Sequence, residues 1–267
     1  MPVLVTAAHQ PLARRLAARL LEEGGEVRVF TSGEVASLRA AGAFVATGTR
    51  DDEGRLEAAL AQVHTVVHVG GGIASPEPDQ LVRDAEVLAR AATGAQVQRI
   101  VMLSLPGADP EAEEPLRAAK GRVEAVLAAV PCPTITLRLG LVDTPFVRDA
   151  LATSGLGPEL SDTEVAPVRA ADVAELVVAF DRARSRSTDG HLVVAADGPE
   201  RMSLAGYLDR VAVGGPGRGS MVGRRLPPAA TVERLVAALG GPWWSTDPAI
   251  IDGWAFAGLE PGVPGVT

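Results

Sequence analysis

The chain begins Met1-Pro-Val-Leu-Val-Thr-Ala-Ala-His-Gln-Pro-Leu-Ala13, and this stretch decides the fold. The segment from Pro2 to Thr6 is short and apolar, which is typical of a buried strand. From Pro11 onward, leucines recur at helical spacing with arginines between them. A strand that turns into a helix within a few residues is the first unit of an open α/β sheet.

The alternation of strand and helix continues along the chain. Further apolar strands are predicted to begin near residues 26, 43, 64, 98 and 134, and another covers residues 190–195. Segments with helical spacing separate them, so the pattern predicts an α/β fold, a Rossmann-like doubly wound parallel sheet. We expect one domain over residues 1–267, with the sheet core in 1–140 and a small substrate-side part in 141–267.

Composition narrows the function classes. A net charge of −8 argues against nucleic acid or an anionic membrane as partner, because both require a basic face. No apolar run reaches the length of a membrane span. The single cysteine, Cys132, excludes an internal disulfide, so we expect a cytoplasmic protein. No Cys or His pair has metal-ligand spacing, so we expect no metal. A small-molecule ligand remains as the expected partner.

Ordered landmarks along the chain carry a family resemblance. They are Val3-Leu-Val-Thr6, Val66-Val-His-Val69 before glycines, Val101-Met-Leu-Ser104, Lys120 with Glu124, Thr136-Leu-Arg-Leu-Gly140 and Val168-Arg-Ala-Ala-Asp-Val-Ala174. Their order and spacing resemble the extended and atypical short-chain dehydrogenase/reductase superfamily, near its NmrA-like and epimerase-like branches. The resemblance implies an NAD(P) cofactor and a cleft at the carboxyl ends of the strands. It is also compatible with a homodimer formed through the long helices, although the sequence does not fix the oligomeric state.

The first departure from the family is the turn after the first strand, where Ala7, Gln10 and Ala13 stand in place of its glycines. Alanine adds a Cβ and gives up the freedom to adopt positive φ, and glutamine intrudes further. Two interpretations stay open: the turn only closes the sheet, or Thr6, His9 and Gln10 replace backbone contacts to a bound anion. Gly70 and Gly71 would complete a cofactor site. We therefore expect either no cofactor or NAD(P) with weak or lost affinity.

The second departure concerns the family's proton donor, a tyrosine that lies four residues before the family's lysine. That position is Leu116 here, and leucine can neither give nor take a proton. Lys120 is nevertheless present and is the only lysine among 25 basic residues. The resemblance implies that it binds the ribose hydroxyls of a nicotinamide nucleotide. Its retention suggests a role that a guanidinium cannot fill, and inheritance without function stays open.

Strand ends supply the other candidate site residues. Ser104 matches the family's catalytic serine, although a serine at a strand end also caps turns. His9 is the histidine best placed for acid/base work near neutral pH, whereas His68 is expected to be a buried, hydrogen-bonded core histidine. The catalytic candidates are therefore Ser104, Lys120 and His9. Ser104, Arg138 and Asp143 are expected to line the substrate pocket.

Three functions follow from these residues. The favoured one is a non-redox enzyme (isomerase, cyclase, lyase or dehydratase) that acts on an apolar metabolite. The first alternative is an NmrA-like nucleotide-binding sensor or regulator. The second alternative is an NAD(P)-dependent reductase or epimerase with an unorthodox proton donor, such as His9 or a substrate-bound water.

Overall fold

The computed structural model describes residues 1–49, 51–70, 77–155, 158–183, 190–213 and 229–239. Its strands are β1 Val3–Thr6, β2 Val27–Thr31, β3 Phe44–Thr47, β4 Thr65–His68, β5 Arg99–Ser104, β6 Thr134–Leu139, β7 Val142–Asp143, β8 Glu164–Val165, β9 Val168–Arg169, β10 His191–Ala196 and β11 Met202–Ser203. Its helices are α1 Pro11–Glu22, α2 Ala36–Ala40, α3 Glu53–Leu60, α4 Pro78–Gly94, α5 Pro115–Ala128, α6 Pro145–Thr153, α7 Pro158–Ser161, α8 Ala170–Arg182, α9 Leu204–Val213 and α10 Ala229–Leu239.

The main sheet is parallel and has the strand order β10-β6-β5-β4-β1-β2-β3. The chain starts in the middle, winds outward through β2 and β3, and then returns to β4 to build the other half. This reversal of direction beside β1 makes the sheet doubly wound, so the predicted Rossmann-like fold is confirmed. Each of the first six predicted strand starts lies within one residue of the observed start.

Helices pack on both faces of the sheet. On one face, α1 and α8 bury side chains such as Leu16 and Phe180 against the strands. On the other face, α3, α4 and α5 bury Leu60, Leu88 and Leu127. Each buried side chain of this size contributes roughly 2 kcal/mol to the stability of the folded chain. Because both faces are covered, the carboxyl edge of the strands is where connecting loops can form a site.

The C-terminal part is joined to the main sheet through β10, which pairs in parallel with β6 from His191 opposite Thr134 to Ala196 opposite Leu139. Two small pairings support this region: β7 with β9, and β8 with β11. Among the described residues, no helix combines the length and apolarity that a membrane crossing requires.

Candidate active site

A cleft lies at the carboxyl ends of β1, β4 and β5, and it contains two adjoining cavities. Cavity A lies between the β1–α1 turn, the end of β2 and α4, and its lining includes Thr6, His9, Thr31 and His68. Cavity B lies between the end of β5, the start of α1 and the segment 139–147, and its lining includes Ser104. Both cavities are lined by Gln10, Val69 and Lys120. Lys120 therefore stands at the boundary between them.

The β1–α1 turn keeps the backbone course of a glycine turn without a glycine. Ala7 has φ +54°, in the left-handed region, and its carbonyl accepts a hydrogen bond of 2.8 Å from the Gln10 N–H. The expectation that alanine gives up the positive-φ conformation is therefore wrong for this residue. Gln10 caps α1 without a side-chain capping bond, and Pro11 is the first helical residue. The altered residues thus change the chemistry of the turn more than its course.

His9, in the β1–α1 turn, packs against the turn that follows β2. Its Nδ1 lies 3.3 Å from Thr31 Oγ1, and a Cβ built on Gly33 would lie 3.0 Å from His9 Cβ. Thr31 Oγ1 also accepts the Gly33 N–H at 3.1 Å. His9 lines cavity A, whereas the described lining of cavity B does not include it. The structure therefore does not bring His9 together with Ser104.

Thr6 and His68 form a buried pair between β1 and β4. Thr6 Oγ1 accepts the Val69 N–H at 3.0 Å and lies 3.2 Å from His68 Nδ1. The hydroxyl has one hydrogen and two lone pairs, so the tautomer of the ring sets the direction of the bond to Nδ1. Burial, assisted by the charge of Lys120, lowers the pKa of His68 to about 3, so the ring is neutral near pH 7. The prediction of a buried, hydrogen-bonded histidine at this position is confirmed.

Gly70 is the residue that lets β4 end beside this histidine. A Cβ on Gly70 would lie 2.3 Å from His68 Nε2, which leaves no room for any side chain. Its carbonyl oxygen accepts a hydrogen bond from Lys120 Nζ. Gly71, the other glycine predicted to bind a cofactor, lies outside the described residues.

Lys120 is 3% exposed on α5, between the two cavities. Its Nζ donates hydrogen bonds to the backbone oxygens of Gly70 and Leu103, the second at 3.0 Å. Burial lowers the pKa of Lys120 to about 8, and the nearby carboxylate of Glu124 opposes part of that fall. Leu116, one turn earlier on α5, is buried in the apolar core.

Ser104 ends β5 and lines cavity B. The residue is 6% exposed, and within the described part of the chain its Oγ has no hydrogen-bond partner. The residue next to it, Leu103, supplies the carbonyl that accepts from Lys120. A buried hydroxyl without a partner is costly, so it is a group ready to bind a polar atom of a ligand.

Arg138 and Asp143, predicted to line the substrate pocket, are bound elsewhere. Arg138 points to the α5 face of β6, where its Nη2 lies 2.7 Å from Glu124 Oε2 and 2.8 Å from Ala108 O. Asp143 binds the guanidinium of Arg148 at 2.6 Å and accepts the Tyr207 hydroxyl at 2.6 Å. Neither side chain lines cavity A or cavity B. In a strand buried on both faces, residue type alone does not show which layer a side chain enters.

Sequence reasoning did not find the pairing of Tyr207 with Asp143. Burial and the Asp143 carboxylate raise the pKa of this tyrosine, which therefore keeps its proton near pH 7. The arginine and the tyrosine hold the pKa of Asp143 below its usual value. Val142 and Thr144, on either side of Asp143, line cavity B, and Tyr207 belongs to α9. The hydrogen bond from Tyr207 to Asp143 therefore connects this wall of the cavity to α9.

Comparison with known proteins agrees with this architecture. The profile of the NAD(P)H-binding family matches residues 8–180. Among curated proteins no match is found.

Solved structures with the same fold include reductases and epimerases. The triphenylmethane reductase of Citrobacter sp. complexed with NADP(H) has a TM-score of 0.71 at 16% identity, over 94% of this chain and 95% of that one. A nucleoside-diphosphate-sugar epimerase of Staphylococcus aureus has a TM-score of 0.70 at 14% identity, over 94% and 95%. The UDP-glucose 4-epimerase of Thermotoga maritima with UDP-glucose has a TM-score of 0.66 at 17% identity, over 98% and 94%.

The family match covers well over half of the chain, and the structural likeness extends along nearly all of it. The expected relationship to atypical short-chain dehydrogenase/reductase folds is confirmed. The chain belongs to the NAD(P)H-binding family and has the fold of its reductase and epimerase relatives.

Proposed function

We propose that this protein is a small-molecule enzyme that transfers protons, not hydride, on an apolar compound bound in cavity B. Its reaction class is that of an isomerase, cyclase, lyase or dehydratase. The observation that carries the proposal is Leu116, which is 5% exposed and packed in the apolar core one turn before Lys120. The family's proton donor is thus replaced by an inert side chain.

The residues of cavity A do not fit a dinucleotide held as the resemblance implies. Gln10 stands at the N-terminal cap of α1, where a pyrophosphate would need space and bare N–H groups. Pro11 removes one N–H from the same helix end. His9 packs on the turn after β2, and the end of that strand, Thr31-Ser32, offers no charged group. We therefore assign no step to a nicotinamide.

The chemistry of cavity B rests on two residues. Ser104 offers a hydroxyl that has no partner among the described residues and that donates to a carbonyl or hydroxyl oxygen of the substrate. Lys120 has a pKa of about 8, so it can exchange a proton near neutral pH. Leucine and phenylalanine side chains around them favour an apolar substrate body; they are Leu103, Leu105, Leu139, Leu141 and Phe146. Arg138, Asp143 and His9 hold no catalytic role in this proposal.

A second candidate is a nucleotide-binding sensor of the NmrA-like kind. It is favoured by Ala7, which keeps the left-handed backbone of a phosphate-binding turn although alanine disfavours it. In that case Thr6, His9, Gln10, Gly70 and Lys120 would contact the nucleotide. A reductase that uses His9 as donor has less support, because His9 does not line cavity B.

Calorimetric titration with NAD, NADH, NADP and NADPH distinguishes these functions. We expect no heat of binding at millimolar nucleotide, because Gln10, which lines both cavities, adds a side chain where the family's turn has a glycine. The variant Gln10→Gly should gain measurable affinity, whereas Gln62→Gly, at a turn far from the cleft, should not. Micromolar binding by the unaltered chain would contradict the proposal and support the sensor.

A further inference from the structure

We propose that Lys120 is an amine nucleophile, and that it forms an imine with an apolar aldehyde or ketone bound in cavity B. This inference rests on the proposed function and names its substrate class. It begins with composition: 24 of the 25 basic residues are arginine, and the single exception is the buried lysine between the cavities. An arginine supplies charge equally well, but its guanidinium stays protonated and cannot attack a carbonyl carbon.

The hydrogen bonds of Nζ suit a neutral amine. A neutral amine has two N–H bonds and one lone pair, and the structure provides two acceptors, the carbonyl oxygens of Gly70 and Leu103. With both hydrogens bound, the lone pair is left for an electrophile. An ammonium would bring a third hydrogen, for which the described residues provide no acceptor.

Burial lowers the pKa of Lys120, and the charged groups around it offset only part of that fall. Glu124 lies one turn later on α5 and favours the ammonium, but it is itself bound to Arg138 of β6. His68 of β4 is neutral, and Asp84 of α4 lies across cavity A. With a pKa of about 8, about 10% of the chains carry the free amine at pH 7, roughly 250-fold more than for an exposed lysine.

The reaction balances within the site. The Nζ lone pair attacks the carbonyl carbon, the C=O π pair moves to oxygen, and a proton passes from nitrogen to that oxygen. Loss of one water from this carbinolamine gives the imine, and addition of one water reverses the step, so no oxidant or reductant is needed. Ser104, next to the Leu103 carbonyl that holds Nζ, donates its hydrogen bond to the substrate oxygen in this scheme.

Reductive trapping tests this assignment on the full chain. The protein is incubated near pH 7 with benzaldehyde and cyanoborohydride, which converts an imine into a stable secondary amine. Trypsin no longer cleaves after an alkylated lysine, so the adduct appears as the uncleaved peptide 118–122. We expect labelling of Lys120 at least about tenfold faster than of an exposed lysine, because the free amine is more abundant.

Two variants and one internal comparison control the experiment. Lys120→Arg should abolish the adduct, and the double variant Lys120→Arg with Arg122→Lys, which places a lysine at an exposed position of α5, should not restore the rate. The α-amino group at the start of the purified chain serves as the internal comparison. Labelling of the native chain that is confined to the α-amino group would overturn the inference, and this result does not depend on whether the variants fold. Labelling of the lysine at position 122 in the double variant at the rate of Lys120 in the native chain would also overturn it.

A parallel assay separates this inference from the function on which it rests. Benzaldehyde and NADPH are mixed with the protein and the nicotinamide absorbance is followed. Steady loss of NADPH would contradict proton-transfer chemistry as the proposed function. Absence of both NADPH loss and the Lys120 adduct, with saturable benzaldehyde binding, would overturn only the imine.

Discussion

The buried ammonium of Lys120 should make stability depend on pH in a way that a single substitution reveals. Its pKa falls from 10.5 to about 8 on folding, because burial removes water from the charged form. Between these values the unfolded chain binds more protons than the folded chain, so folding stability rises as pH increases through this range. Below about pH 8 both states are protonated, and the buried charge costs the folded state about 3 kcal/mol.

The variant Lys120→Met has no proton to bind at this site. The free energy of unfolding of the native chain, minus that of the variant, should therefore increase by about 2–3 kcal/mol between pH 7 and pH 10. Cys132 and Tyr207 also have raised pKa values and destabilise the folded state at high pH, but both remain in the variant and cancel in the difference.

Urea unfolding followed by circular dichroism at pH 7, 8, 9 and 10 measures this difference. Arg122→Met, which removes an exposed cation from the same helix, is the matched control and should show a constant difference from the native chain. Parallel stability curves for the native chain and Lys120→Met would refute the lowered pKa of the buried amine, and with it the reasoning about its nucleophilicity.

Three further predictions about the frame around the site are tested by urea unfolding. Ala7→Gly should stabilise the chain by about 0.5–1 kcal/mol, because glycine adopts the φ of +54° without strain; a loss of stability would contradict the left-handed turn. Gly121→Ala should cost about 3 kcal/mol, because its Cβ would lie 2.3 Å from the backbone of the 109–110 loop, whereas Gly54→Ala, in open space on α3, should gain about 1 kcal/mol. Equal effects at the two glycines would rule out the tight packing. Tyr207→Phe should cost about 2 kcal/mol through the lost hydrogen bond to Asp143, and unchanged stability would show that bond to be absent.

The sheet could be predicted because its signals are local. Apolar runs mark the strands, and capping residues mark helix starts, as where Asp52 Oδ1 accepts the Arg55 N–H at the beginning of α3. The position of Thr6 and Ser104 near one cleft followed from the rule that parallel strands present their carboxyl ends at one edge.

The rest of the site geometry depends on contacts between residues that are far apart in the sequence. Arg138 and Glu124 meet across two layers, and Asp143 meets Tyr207 across 64 positions. No pattern in either segment indicates these partners. At Ala7 the local preference was clear, but the surrounding turn imposes the opposite backbone conformation. Tertiary packing therefore determines the partners of Arg138 and Asp143 and the backbone conformation of Ala7.

The place of β10 in the sheet has a consequence for synthesis of the chain. β6 is complete at residue 139, yet its outer edge receives its partner only from residues 191–196. While a ribosome makes the intervening segment, β6 is paired with β5 on one side only, and its outer edge is open along four residues that are buried in the finished fold, Thr134 to Leu137. A chaperone that shields strand edges would therefore find its substrate in this interval, and closure of the sheet would release it.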